Sequence, residues 1–216
     1  MELVTIENSR VIFLTQMRRP SGQLYLPEAT AKLVQRYSFA TFPTLEQLSQ
    51  GIHSFSVGKF GDAQIQDFTL YNDGMIVSSR SDTDLLDAFL DDLLAWAGSE
   101  LGLVPVITVK PEKYYESTLM AKSETDLALA TKPAKSVLDA FNKIWRKRYF
   151  DIDYSYSGFL LHCDANQFPG RRNPMHFGIE RRVGVPFDQN VFYSNAPLST
   201  KDHLAFLGRL EDLARG

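Results

Sequence analysis

The 216-residue sequence predicts an α+β fold: mainly antiparallel β-sheet with amphipathic helices packed on it. Three observations carry this reading. Gln64–Tyr71 and Met75–Val77 are β-prone runs joined by Asn72-Asp73-Gly74, a hairpin signal that points to a type I′ turn. Ser81-Asp82-Thr83-Asp84 then starts a helix in which Leu85, Leu86, Phe89, Leu90, Leu93 and Trp96 share one arc. Short strand-like runs alternate with helix-like ones along the rest of the chain, without a solenoid period or a heptad run.

In chain order, Leu3–Ile6 and Val11–Met17 read as strands joined at Glu7-Asn8-Ser9, followed by a loop over Arg18–Gly22. Pro27 at a first helical position opens a short helix with Ala29, Leu33, Val34 and Tyr37 on one face. Thr44-Leu45-Glu46-Gln47 matches a capping box, so a second short helix starts there. Ile52–Val57 and the Gln64–Val77 hairpin are strands, and the long helix after them ends near Gly102, a suitable left-handed terminator. Val104–Val109 and Tyr114–Met120 are further strands. A helix from about Ser136 carries Val137, Leu138, Phe141, Ile144 and Trp145 at the spacing of a core face. Ser155–Cys163 and Met175–Val183 read as strands either side of the loop Gln167–Pro174. Val191–Ser194 is a last short strand, and Ser199 and Thr200 cap a C-terminal helix.

The expected organisation is a single compact domain over 1–216, with 1–123 and 134–216 as its sub-halves. The finer division rests on an echo: Thr83-x5-Phe89-Leu90-x2-Leu93 matches Thr200-x5-Phe206-Leu207-x2-Leu210, each after a strand ending in serine or Ser-Asn. Any strand followed by an amphipathic helix gives a partial match of this kind, so a duplication is the less common explanation.

Composition bounds the class. A hydrophobic fraction of 44% and an aromatic fraction of 12%, with a net charge of only −3, belong to a folded chain and exclude general disorder. No apolar run reaches the roughly 18–20 residues of a membrane span; Leu85–Ala97 is interrupted by Asp87, Asp91 and Asp92. The first residues lack the basic start and apolar core of a secretion signal. One cysteine, Cys163, excludes an internal disulfide framework and a thiolate zinc cage, and no Asn-x-Ser/Thr acceptor occurs. A reduced, cytoplasmic, soluble protein is expected.

The small net charge conceals a dipole along the chain. Between Asp62 and Glu100, nine acids face one base, Arg80, a net −8. Between Phe141 and Arg182, eight bases face four acids, a net +4. Such separation bears on partners. Asp84, Asp87 and Asp91 lie together on the polar side of the long helix, with Asp82 and Asp84 in its first turn, where the dipole favours acids. The ordinary reading is a solvated face; the functional one is an acidic surface for a basic partner or a cation. Lys143, Arg146 and Lys147 form the basic counterpart, extended by Arg171 and Arg172 at the tip of a proline-bounded loop and by Arg182.

Enzyme signatures are missing: no P-loop, no GxGxxG, no GxSxG, no HExxH and no CxxC pair. The histidines offer the one enzyme-like grouping. Alternation puts His176, Glu180 and Arg182 on one face of their strand, and His162 with Asp164 on one face of the strand before it. Paired, these strands would gather His162, Asp164, His176 and Glu180 as N/O metal ligands, with His176 and Glu180 as acid–base candidates. Polar residues on a solvent-facing strand are the commoner explanation. His203 reads as a core histidine and Cys163 as a small buried hydrophobe.

The leading expectation is therefore a non-enzymatic protein–protein interaction or assembly component with an acidic helix and a basic helix–loop patch. It would bind another protein or a second copy of itself, without a cofactor and without a membrane. The runner-up is a nucleic-acid-associated protein holding phosphates through the 143–182 segment, and the third is a metal-dependent hydrolase.

Overall fold

The computed structural model describes residues 1–106, 110–127, 135–146, 154–164 and 174–215. The fold is α+β, with eight strands in antiparallel sheet and two in a short ribbon. The chain divides into two compact units, one over 6–117 and 197–201, the other over 1–5, 118–196 and 202–216. Among the described residues no helix is long and apolar enough to cross a membrane.

The first half of the chain supplies β1 (Glu2–Leu14), β2 (Met17–Arg18), α1 (Leu26–Tyr37), α2 (Leu45–Ser49), β3 (Ser54–Phe60), β4 (Ala63–Tyr71), β5 (Gly74–Ser79), α3 (Thr83–Leu101), β6 (Val104–Pro105) and β7 (Glu112–Lys122). In the first unit the strands run β3-β4-β5-β1, and β2 pairs with β6 as the ribbon. The two strands expected at the start are one unbroken β1. No residue of Glu7-Asn8-Ser9 is at positive φ. Ser9 is wholly buried, with its hydroxyl 3.3 and 2.5 Å from the carbonyls of Ser79 and Ser81. With the Ser9 hydroxyl partnered at the end of β5, the triplet continues the strand and makes no turn.

The β4–β5 hairpin forms at the expected place, with Tyr71 opposite Gly74 and a two-residue loop. Its turn is not type I′, because Asn72, Asp73 and Gly74 all keep negative φ. Glycine serves a different purpose here. A Cβ on Gly74 would stand 2.4 Å from the carbonyl oxygen of Phe13, so its absence lets β5 approach β1.

The helix signals hold. Pro27 lies in the first turn of α1. Thr44 and Gln47 cap α2 reciprocally: the Gln47 N–H donates to Thr44 Oγ1 at 3.2 Å and the Thr44 N–H to Gln47 Oε1 at 2.9 Å. Asp82 accepts from the Leu85 N–H at 2.8 Å to start α3, and Gly102 ends it at φ 64°. The apolar arc of α3 lands on an aromatic cluster. Phe89, wholly buried, has Tyr37, Phe68 and Phe60 around it with ring centroids at 4.8, 5.5 and 5.6 Å. Phe39 and Phe55 extend the cluster along β3.

The remaining elements are α4 (Lys135–Arg146), β8 (Gly158–Leu161), β9 (Phe177–Arg181), β10 (Val191–Ala196) and α5 (Thr200–Arg215). The second unit has the strand order β10-β9-β8, antiparallel throughout. Phe177, Ile179, Phe192, Leu207 and Leu210 are buried in it. β9 stops earlier than the sequence suggested. Val183, the last residue of the expected strand, is 90% exposed beyond the observed strand end, and the place after Ile179 goes to buried Arg181. The Arg181 guanidinium pairs with Asp126 at 2.5 Å, donates to the carbonyl of Phe187 at 2.8 Å and lies over the rings of Phe187 and Phe192. These partners make burial of the charge tolerable.

The two threonines aligned by the sequence echo occupy equivalent positions, each the first residue of its helix, α3 or α5. Both belong to the first unit and both are buried. The Thr83 N–H donates to Thr200 Oγ1 at 3.2 Å, and the Thr200 N–H donates to Thr83 Oγ1 at 3.0 Å. Each hydroxyl thus satisfies the first free amide of the other's helix. Thr83→Ala and Thr200→Ala are each expected to lower stability by about 1–2 kcal/mol in urea unfolding, while Thr→Ser at either site keeps most of it. Alanine losses under roughly 0.5 kcal/mol would show that the pair carries little.

Candidate interaction surfaces

The five aspartates of α3 and its cap have different employments. Asp82 caps the helix. Asp92 accepts from Arg36 Nη2 at 2.6 Å, Arg36 Nε at 3.2 Å and the Tyr37 hydroxyl at 2.6 Å. The Arg36 hydrogen bond holds the Asp92 carboxyl below its usual range, against the opposing effect of burial and with help from Tyr37. Asp87, read from the sequence as part of the acidic face, is half-buried and bound by Lys113 Nζ at 2.6 Å and the Tyr115 hydroxyl at 2.8 Å. Desolvation, then the Asp87 hydrogen bond and the charges of Asp87, Asp84 and Asp91, push Tyr115 up to about 12. Asp84 and Asp91 stay exposed. The acidic surface is therefore narrower than the count of acids suggests, since Asp87 and Asp92 serve as fastenings.

On α4, Lys143 and Arg146 are exposed, as is Arg182 beyond β9. Lys143 and Arg182 make no ion pair among the described residues. Lys147, Arg171 and Arg172 lie outside the described residues. The expected core face of α4 is divided. Leu138 and Trp145 are half-buried beside buried Asn142, whereas Val137, Phe141 and Ile144 are 69%, 47% and 65% exposed. The physical reason lies in what holds the helix. Asn142 Nδ2 donates to the Tyr154 carbonyl and Asn142 Oδ1 accepts from the Tyr154 N–H, both at 2.9 Å. The Tyr154 ring meets Phe141 and Trp145 edge-on, each at 5.0 Å. A polar side chain thus takes the inward position and leaves Val137 and Ile144 facing outward.

Of the four groups considered for a metal or acid–base site, the structure brings two together. Leu161 pairs with Phe177, so His162 and His176 follow as neighbours with stacked rings 5.0 Å apart. Glu180 stands opposite Gly158, about 13 Å along the strand from His176. Asp164 is exposed. Among the described residues no group of three or more His, Cys, Asp or Glu side chains could hold a metal ion. Cys163, expected to be buried, is exposed, because β8 ends at Leu161 and leaves no sheet face to cover it.

His203 is wholly buried, as a core histidine should be. Its Nε2 lies 2.9 Å from Ser194 Oγ, and that hydroxyl is 2.8 Å from the Gly178 carbonyl. The single hydroxyl proton goes to the carbonyl, so Nε2 carries the imidazole proton and donates. Burial lowers the histidine from 6.5 to about 4. In the unfolded chain it protonates near 6.5, so its contribution is complete above that pH and is lost as the pH falls through about 4. The full difference is worth about 3 kcal/mol. Urea unfolding at about pH 7 and pH 4 should show a smaller acid loss for His203→Gln than for the wild type. Equal losses would contradict the assignment.

No protein-family model matches the sequence, and no curated protein does. Among solved structures the chain is similar to one described as Methanococcus jannaschii TBP, with a TM-score of 0.46 and 10% sequence identity, over 98% of this chain and 97% of that one.

Proposed function

We propose that the protein is a non-enzymatic interaction or assembly component that binds another protein through the outward side of α4. One observation carries the reading: Val137, Phe141 and Ile144, spaced as i, i+4 and i+7, form an exposed apolar stripe on α4, apart from its half-buried Leu138 and Trp145. Lys143 and Arg146 are exposed too but stand roughly 100° and 160° round the helix from Ile144, so the fitting partner meets the stripe itself with apolar side chains. The clamp of Asn142 on the Tyr154 backbone keeps the helix in place before binding, which limits the ordering cost. A phosphate-binding surface would use Lys143, Arg146 and Arg182 and would leave the apolar stripe without a purpose.

The test is recovery of partners with the tagged chain from its native host, comparing wild type, the Phe141→Ser/Ile144→Ser pair and Lys143→Glu. A protein should accompany the wild type in fixed proportion and fall at least about tenfold with the serine pair, while thermal unfolding is unchanged. Light scattering tells a second copy from a foreign chain. Equal recovery across the variants, or nucleic acid recovered in place of protein and lost with Lys143→Glu, would overturn the proposal.

A further inference from the structure

The first unit contains a cavity of about 280 Å³ between α1, α3 and the loop end of the β4–β5 hairpin. At the roughly 30 Å³ that one water occupies in the liquid, this is room for about ten non-hydrogen atoms. Close packing is the rule in a protein interior, and the aromatic cluster beside the cavity obeys it. The space is therefore local. Its floor is apolar and buried: Leu33, Phe55, Met75 and Leu93.

Thr15, Thr30, His53 and Asn72 interrupt the apolar lining, and two of them bear on binding. Thr15 is 5% exposed and lines the cavity, and its backbone N–H donates to the Asp73 carbonyl at 2.9 Å. Its hydroxyl has no hydrogen-bond partner among the described residues. The half-buried imidazole of His53 lines the same space and likewise has none. Both groups keep hydrogen-bonding capacity toward the open side of the space, available to the polar head of a molecule seated there. Exposed Leu26 and Tyr71 also line it, an apolar approach from solvent.

We infer that this cavity is a binding site for a small amphipathic molecule, with an apolar body of about ten atoms and one hydrogen-bonding head held by Thr15 and His53. The shape and chemistry suit a medium-chain alcohol or carboxylate. The site involves none of the α4 residues, so it stands or falls apart from the proposed partner surface.

The methionines provide the readout. Met17 and Met75 line the cavity, while Met120 and Met175 belong to the second unit. With methyl-labelled methionine, titration of the full chain with decan-1-ol should move the Met17 and Met75 signals saturably and leave Met120 and Met175 still. Decanoate in a parallel titration distinguishes an anionic head from a neutral one, and saturation by either probe supports the site. Thr15→Val, which keeps the side-chain shape, should weaken decanol binding about fivefold. Ala29→Leu, which adds bulk to the lining, should weaken it at least about tenfold. If a variant fails to fold, the wild-type titration decides alone. No saturable movement with either probe, or parallel movement of all four signals, would overturn the inference, as would undiminished binding by folded Ala29→Leu.

Discussion

Keeping Phe89 out of water organises the first unit. Burying one phenylalanine side chain contributes roughly 1.5–3 kcal/mol, and each well-placed aromatic pair adds about 0.5–1.5 kcal/mol. Phe89 has three such neighbours, drawn from α1, β3 and β4. Seating it sets the rotation of α3, and that rotation decides where the aspartates go. Asp92 comes to Arg36 and Tyr37 of α1, and Asp87 comes to Lys113 and Tyr115 of β7. The same seating places Leu93 and Ala97 against the cavity, where aromatic packing gives way to open space.

The charge pattern changes meaning in this light. The acidic run from Asp62 to Glu100 is a single pole when residues are counted, but part of it is consumed by contacts within the first unit. What stays outward on α3 is Asp84, Asp91 and Glu100. On α4 the balance moves the other way. The sequence assigned its interest to lysine and arginine, and the folded helix adds an exposed apolar stripe to them. A helix that exposes apolar anchors is better suited to a protein partner than one that exposes charge alone.

Local signals were legible and tertiary ones were not. The Thr44 capping box, Pro27, Asp82 and Gly102 act within one turn of a helix, and each sits at its helix end, Pro27 one residue further in than expected. The hairpin was legible too, although its turn type was not. Gly74 answers to the Phe13 carbonyl on another strand, which no window around the turn contains. Asn142 is the clearest case of a hidden determinant. Periodicity ranks it below the aromatics beside it, yet its two hydrogen bonds to Tyr154 settle which side of α4 faces inward. Arg181 and the exposed Val183 show the same limit at a strand end. Alternation continues in the sequence after the strand has stopped. Thr15 at the cavity had no sequence signal at all, because a threonine just past a strand end is ordinary and only its surroundings are not.

The claim that α4 is a docking surface for protein is open to one direct measurement. A photoreactive amino acid in place of Phe141, irradiated in the native host, should form a covalent adduct with a discrete protein, and the same group in place of exposed Arg209 on α5 should not. Adducts with nucleic acid at position 141, or equal labelling at both positions, would contradict the account.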